Sequence, residues 1–564
     1  MRQPNTSPLN ALASRRTLLT GALGLGAGLT LAACGSGGGG GGSHTPGAAF
    51  RTPQAGPVPS PLPGEHRDPI HGVPAAYDRY PSAAEQFASV AKAPGSGGTM
   101  TALMQLATTP APGRGDNRWW QELEKRLNLT WQPTLVGGSD IGDRAQTIIA
   151  SGDMPDLFNV NHYFSPAIDR SVKQGAFTEL SDYVGGSAIL DYPNLARLPD
   201  WAWRNSSIDG GIFGVPRPTP LVNNVAFYRE DWRKKLGLGM PRNADEVYAL
   251  LTAFTKSAPA GDGVKTWGLS DLNSGFFAAM HRVPSTWRLN PDGTLTKDHE
   301  TDEWEAMLVY MRKLWVGGAF HPDAPTMPWD QQRQLFLNGS VGMHAEGFNG
   351  MVAVGGDLGV IQRNSPGADL QPMLPPGFDG GKPLIAQDTG YWGYYSIPAK
   401  LRGNKDKVRE VLRVCDYFAA PFGSSEYTFV NYGIADHHFT YGQDGSPVPT
   451  TNAARLSELS MAYMCQPSEL NFFFAGQPAQ VAQGAQTFLH DAMPVSAPNP
   501  VVNLYSETAI SKTPVLKQLI DDLMVAVVTG RKPISALAEA RQSWKSQGGD
   551  QMRAEYEKAL AKKN

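Results

Sequence analysis

Residues 210–241, GGIFGVPRPTPLVNNVAFYREDWRKKLGLGMP, change character twice along their length. A short Gly-Val-Pro strand gives way to alternating apolar residues at Val225 and Phe227. A charged turn, Tyr228-Arg229-Glu230-Asp231-Trp232, follows, and then Leu-Gly-Leu and a proline. A piece of this kind leaves one compact unit and enters another. The length agrees, because 564 residues exceed what one hydrophobic core accommodates.

Upstream, residues 100–106 read as a strand and 116–128 as a helix with Trp119, Leu123 and Leu127 on one face. A second strand is expected around 129–135, then a helix over 140–151 with Ala145, Ile148 and Ile149 turned inward. Alternating strands and helices at this spacing predict a mainly parallel sheet with helices on both faces. Ligands of such sheets sit at the carboxyl ends of the strands. Downstream, Asn243 with Glu246 makes a capping box ahead of Val247, Leu250, Leu251 and Phe254. Helices are also expected from Thr301 (Trp304, Leu308, Met311, Trp315), over 404–420 (Val408, Val411, Leu412, Cys415), and over 513–529 before Gly530.

Five segments resemble, in order, the family 1 extracellular solute-binding proteins of bacterial ABC importers. The crossover at 210–241 matches G-I/L-x-G-I/V-P followed by R-x-D-W-x-x-K-L-G-L-x-x-P. Residues 150–156 match A-S-G-D-x-P-D, and 336–343 match F-x-N/x-G-x-V-G/A-M. Residues 432–439 match Y-G-I-x-x-x-H-Y/F, and 544–556 match W-x-x-x-G-G-x-x-I-x-x-E-Y, with Met552 at the Ile position. The resemblance covers about residues 100–560. It implies a two-lobed α/β fold of the type II periplasmic-binding-protein kind, with hinge strands between lobes. On that scheme lobe 1 is 98–228 plus 384–440, and lobe 2 is 229–383 plus 441–564. It further implies a monomer that captures a saccharide outside the membrane and hands it to the transmembrane subunits of an ABC permease. Neither an enzyme activity nor a cofactor is expected. Many relatives carry an EF-hand-like calcium loop after the helix that follows the crossover. Residues 258–265 here keep one aspartate, Asp262, too few oxygen ligands for calcium, so no metal is expected there.

The N-terminus reads as a processing signal. Arg15 and Arg16 form a twin-arginine pair, and an uncharged run ends in Leu31-Ala32-Ala33-Cys34, a lipobox. Residues 1–33 are then a signal peptide and Cys34 the lipidated residue, holding the protein to the outer face of the cell membrane. Residues 34–97, nearly all glycine at 35–42 and proline-rich to 63, form a tether; within it 65–94 carries tyrosines, Phe87 and a short helical possibility over 83–92, which leaves open whether that part packs on the body. Cys415 and Cys465 are the remaining cysteines, and unbridged thiols are favoured over a disulfide because twin-arginine substrates fold before export.

The formal net charge of −3 argues against a nucleic-acid grip. G-x-S-x-G, H-E-x-x-H and P-loop signatures are absent from the sequence, and the acidic clusters (Asp153/Asp156, Glu300/Asp302/Glu303, Asp521/Asp522) fall in turns or on helix starts and surfaces. His437 and His438 read as loop packing, since no third ligand lies nearby in sequence. A saccharide site needs aromatic platforms beside fixed polar groups. At the strand ends where a cleft is expected stand Asn161, His162 and Tyr163, and at the crossover Arg217 and Asn223. The second lobe offers Asn273, Phe276, Glu346, Phe348 and Asn349, and the return strand Asp388, Tyr391 and Trp392. Trp119, Trp232, Trp304 and Trp544 read as core. With few cations available in this set, a neutral oligosaccharide is preferred to an acidic one. The competing classes are a carbohydrate-active surface hydrolase or lyase, opposed by the lack of an acid pair, and a sensory or adhesion lipoprotein of the same fold.

Overall fold

The computed structural model describes residues 49–563, apart from 107–109, 138–139, 162–167, 258, 262, 273, 353–355 and 463. The strands of its two main sheets are β1 (Thr99–Gln105), β2 (Thr130–Val136), β3 (Leu157–Val160), β4 (Val215–Pro218), β5 (Val225–Arg229), β6 (Trp267–Leu269), β7 (Val341–Glu346), β8 (Leu370–Pro372) and β9 (Tyr391–Ser396). The first sheet has the order β2-β1-β3-β9-β4 and the second β8-β5-β7-β6. Parallel pairing joins β1 to β2 and β3, and β7 to β6. Antiparallel pairing is confined to β5 and β9 with their neighbours. These are the strands with which the chain first enters the second lobe and re-enters the first. Every residue of β3, β4 and β5 is buried, as expected of strands covered on both faces.

Helices form where stripe and cap agree. Arg118–Leu127 buries Trp119, Leu123 and Leu127, and the Asn117 side chain accepts the Trp120 N–H at 2.8 Å. Asn243, Thr301 and Asn404 cap Ala244–Lys256, Asp302–Val316 and Lys405–Phe418 through the same side-chain acceptance. The helix expected to start at residue 513 instead runs Glu507–Thr529, with Pro514 inside it. The Glu555 carboxylate binds the hydroxyls of Ser506 and Thr508 at 2.6 Å each, so a tertiary anchor sets the helix start in place of the proline.

The lobe borders differ from expectation in three places. Val225–Arg229 already belongs to the second sheet, so the first lobe ends before residue 228. Met461, Met464 and Cys465 pack in the same core as Trp119 and Leu412, so that lobe extends past residue 440; the second lobe's core resumes at Phe472. Residues 49–97 do not behave as a tether. Gly56 donates to the Ala196 carbonyl and Phe87 to that of Gly423 on the first lobe, while Ala75 and Ala76 pair with Asn471 and Phe472. Ala76 and Tyr80 are wholly buried, and Gln483 and Gln486 of helix Ala479–Ala492 bond Asp78 and the His66 and Pro74 carbonyls. Proline and glycine make this segment irregular, but its tyrosines and alanines fix it to both lobes.

Cys415 and Cys465 are buried and unbridged, the Cys465 thiol donating to the Cys415 carbonyl. Nearby, buried Asp416 accepts the N–H groups of Asn194 and Leu195 at 2.8 and 2.9 Å. Burial nevertheless pushes its carboxyl up to about 6. A folded-state value above the unfolded one means that the native state holds the proton more tightly. Stability is therefore gained as pH falls through about 6 and is lowest above it. Asp416→Asn keeps the accepting oxygen without the charge and should stabilise the protein by up to about 3 kcal/mol at pH 7.5, shrinking towards pH 4. Urea midpoints at the two pH values check this; an equal shift at both would refute it.

Candidate functional site

The chain passes between the sheets at 219–224, 373–390 and 466–470, and these crossings are tied to one another by polar groups. Arg217, the third residue of β4, is 5 % exposed, and its guanidinium lies 2.8 Å from the Glu469 carboxylate in the third crossing. Removing one member of such a buried pair leaves an uncompensated charge, typically a loss of about 3–5 kcal/mol. In the second crossing Asp388 accepts the Asn223 N–H at 3.0 Å and also bonds the Asn224 N–H, while its own N–H donates to the Leu221 carbonyl at 2.7 Å. Its carboxylate reaches solvent on one side and is crowded by protein on the other. That desolvation raises its pKa against the lowering effect of the two N–H groups.

Around these crossings the sheets present their strand ends. Asn161, directly after β3, is 2 % exposed, and its side-chain amide donates to Gln105 at the end of β1 at 3.2 Å. In β9 the register against β4 slips between Tyr391 and Tyr394, a bulge that breaks the in-out alternation at Trp392. Gly393 has φ +78°, and a Cβ there would stand 2.7 Å from the Val160 carbonyl oxygen, so the bulge requires glycine. Trp392 is left half-buried between buried tyrosines. In the second lobe β7 ends at half-buried Glu346, whose carboxylate accepts the Gly347 N–H at 2.8 Å and whose pKa is raised by burial. Gly347 lies against the Asn223 side chain, bringing this strand end to the first crossing.

A cavity of about 160 Å³ between the lobes is lined by Asn205, Asp388 and Thr389 of one side and Ser285 and Thr286 of the other. A larger one, about 520 Å³, is bounded by Arg118, Arg126, Phe429 and Tyr441 and by other residues of the first lobe or of the N-terminal segment packed on it, and does not lie between the lobes.

The structure thus brings together Asn161, Arg217, Asn223, Glu346, Asp388 and Trp392 of the expected set at strand ends or crossings. Phe348 does not belong with them: it is 4 % exposed and packs against Phe227, Phe472 and Phe488 in the second lobe's core. Tyr391 is likewise a core residue of the first lobe, 7 % exposed, because the bulge falls just after it. Phe276 packs on the second lobe's core beside Phe277. Asn349 is half-buried at the start of Phe348–Val352. His162, Tyr163, Asn273 and Asp262 lie outside the described residues, as does Cys34.

Residues 97–413 match the family model described as bacterial extracellular solute-binding protein. The chain belongs to that family. Among curated relatives, this solute-binding protein is 27 % identical over 461 residues to the polygalacturonan/rhamnogalacturonan-binding protein YtcQ of Bacillus subtilis, covering 78 % of this chain and 87 % of the relative. It is 23 % identical to lipoprotein LipO of the same organism, over 77 % and 86 % of the two chains. Among solved structures it superimposes on the alginate-binding protein AlgQ2 without calcium ion, with a TM-score of 0.62, 17 % identity and coverage of 84 % and 99 %. The Streptococcus pneumoniae substrate-binding protein FusA in complex with kestose gives 0.59, 18 %, and 82 % and 99 %. These likenesses show the two-lobed fold of periplasmic solute-binding proteins.

In this solute-binding protein the two adjacent histidines acquire the partner that sequence reasoning missed. Glu458 accepts from His437 Nε2 at 2.9 Å, has His438 Nε2 at 3.4 Å, and takes the Arg118 and Trp119 N–H groups at the start of helix Arg118–Leu127. Arg118 donates to His437 Nδ1 and the Ile434 N–H to His438 Nδ1. With both Nδ1 atoms accepting, the Nε2 atoms carry the protons; His437 points its proton at the carboxylate while that of His438 only faces it, so this knot packs a loop and is wrongly protonated for a metal. Glu458 and Glu469 sit in segments without periodicity, and nothing local marks either as a partner of residues far back in the chain.

Proposed function

We propose that this protein is the substrate-binding lipoprotein of an ABC importer, capturing a saccharide outside the membrane by closure of its lobes and releasing it unchanged to the permease. The observation that carries the reading is the position of Trp392 and Asn161 at strand ends of the first lobe and of Glu346 at a strand end of the second, beside crossings held by Arg217–Glu469 and Asp388–Asn223. An aromatic face with amide and carboxylate groups suits a sugar's apolar face and hydroxyl rim. The relatives named for polygalacturonan and fructooligosaccharide support the class. Within it a neutral oligosaccharide is favoured: Arg217 is engaged by Glu469, Arg282 by Asp379 at 2.6 Å, and the carboxylates of Glu346 and Asp388 would repel a uronate. The lipobox ending at Cys34 supports anchoring to the outer face of the membrane.

Ligand contacts made with both lobes favour the closed arrangement, because a ligand shifts an equilibrium only by its differential affinity. A thermal-shift screen should find a glycan that raises the melting temperature; at 100 times its dissociation constant it stabilises by about 2.7 kcal/mol. Solution scattering with that glycan should show compaction. Stabilisation by peptides or amino acids and by no saccharide would sink the assignment, and release of reducing ends from an added oligosaccharide would transfer it to the hydrolase class.

A further inference from the structure

Beside the saccharide cleft, and sharing Glu346 with it, we propose that His344, Glu346 and Asp357 form a binding site for a divalent ion of the zinc class in the second lobe. Their candidate ligand atoms all lie within 4.8 Å of one another. His344 and Glu346 are alternate residues of β7 and so project from the same face. Asp357 opens helix Asp357–Asn364 and is wholly buried. An imidazole with two carboxylates is a donor set that zinc, cobalt and manganese accept, leaving a further position for water or a ligand hydroxyl.

The second observation is the state of His344. It is 3 % exposed, its ring rests 5.2 Å from that of Phe336, and neither ring nitrogen has a hydrogen-bond partner among the described residues. A buried polar group left so is destabilising, and a bound ion would relieve it. Unlike His437 and His438, it has no hydrogen bond fixing its tautomer, so either nitrogen can offer a lone pair. Arg333 approaches both oxygens of Asp357, with Nε at 3.1 Å from one of them, and orients that carboxylate as an outer-shell group does. Charge also favours a cation. Glu346, Asp357 and Glu469 face the guanidiniums of Arg333 and Arg217, which leaves one carboxylate uncompensated.

The test uses the full chain stripped with chelator and dialysed against Zn²⁺ or Co²⁺, with bound metal measured by elemental analysis and Co²⁺ by its visible absorption. One ion per chain is expected, with affinity reduced about tenfold or more in both His344→Gln and Glu346→Gln. His437→Gln should bind as the parent does. Substoichiometric binding by the parent overturns the proposal, and so does undiminished affinity in a folded His344→Gln protein. Should that variant fail to fold, Glu346→Gln, at a half-exposed strand end, decides alone. Loss of binding only in His437→Gln would place the ion in the other cluster and also overturn it. Glycan-induced stabilisation of the metal-free chain is read separately, so failure here leaves the saccharide reading standing.

Discussion

Tyr80→Ala should lower the unfolding free energy by about 3–5 kcal/mol, the cost of emptying a buried aromatic site. Tyr80 is completely buried, and its ring meets those of Phe422, Tyr432 and Phe473 at 5.1, 5.4 and 5.3 Å. Its hydroxyl lies 2.8 Å from that of Thr428. Tyr80→Phe keeps the ring and should lose only about 1 kcal/mol. Urea midpoints for the two variants separate ring from hydroxyl. The residue lies in the stretch 65–94, for which the sequence leaves packing on the body open, so the experiment also asks whether residues 49–97 belong to the folded body. If Tyr80→Ala unfolds with the parent's midpoint, the segment contributes nothing to stability and its packing is incidental.

Trp392→Ala should weaken saccharide binding about thirtyfold, the equivalent of about 2 kcal/mol for loss of a buried aromatic contact, with little change in melting temperature. Trp544→Ala should do the reverse. Trp544 is 2 % exposed and packs on Trp287 and His299 at 6.0 and 4.8 Å, so its removal should cost about 3–5 kcal/mol of stability and leave affinity intact. Titration calorimetry with the glycan found by the thermal screen, alongside melting curves, provides both readings. Equal affinity in parent and Trp392→Ala would remove this residue from the site without touching the fold assignment.

Helices were legible from sequence where their signals are local. Asn243, Thr301 and Asn404 cap the helices that their sequences announce, and the stripes of Trp119-Leu123-Leu127 and Val408-Val411-Leu412-Cys415 are buried as the 3.6-residue period requires. The Glu507–Thr529 helix was misread at its start because a local proline signal competed with an anchor, Glu555, that arrives from the last helix. The site was legible in part. Strand ends predict where polar groups gather, but a phenylalanine or tyrosine beside a strand end looks the same in sequence whether it faces ligand or core. Phe348 and Tyr391 turned to the core, and Trp392 was separated from Tyr391 by a bulge that one glycine permits.

The sequence by itself determined the class of this protein. The crossover at 210–241, four further segments in order, and the alternation of strand and helix suffice for a two-lobed α/β solute-binding fold, because each of those signals is carried by residues close together in the chain. Only the tertiary structure decided which charges meet. Arg217 finds Glu469, Asp388 finds the backbone of Asn223, Glu458 finds the paired histidines, and Asp357 comes to His344. Each partnership depends on where two separately folded pieces come to rest. Burial then makes the pairing matter, since a desolvated charge costs several kcal/mol unless it is met by a partner.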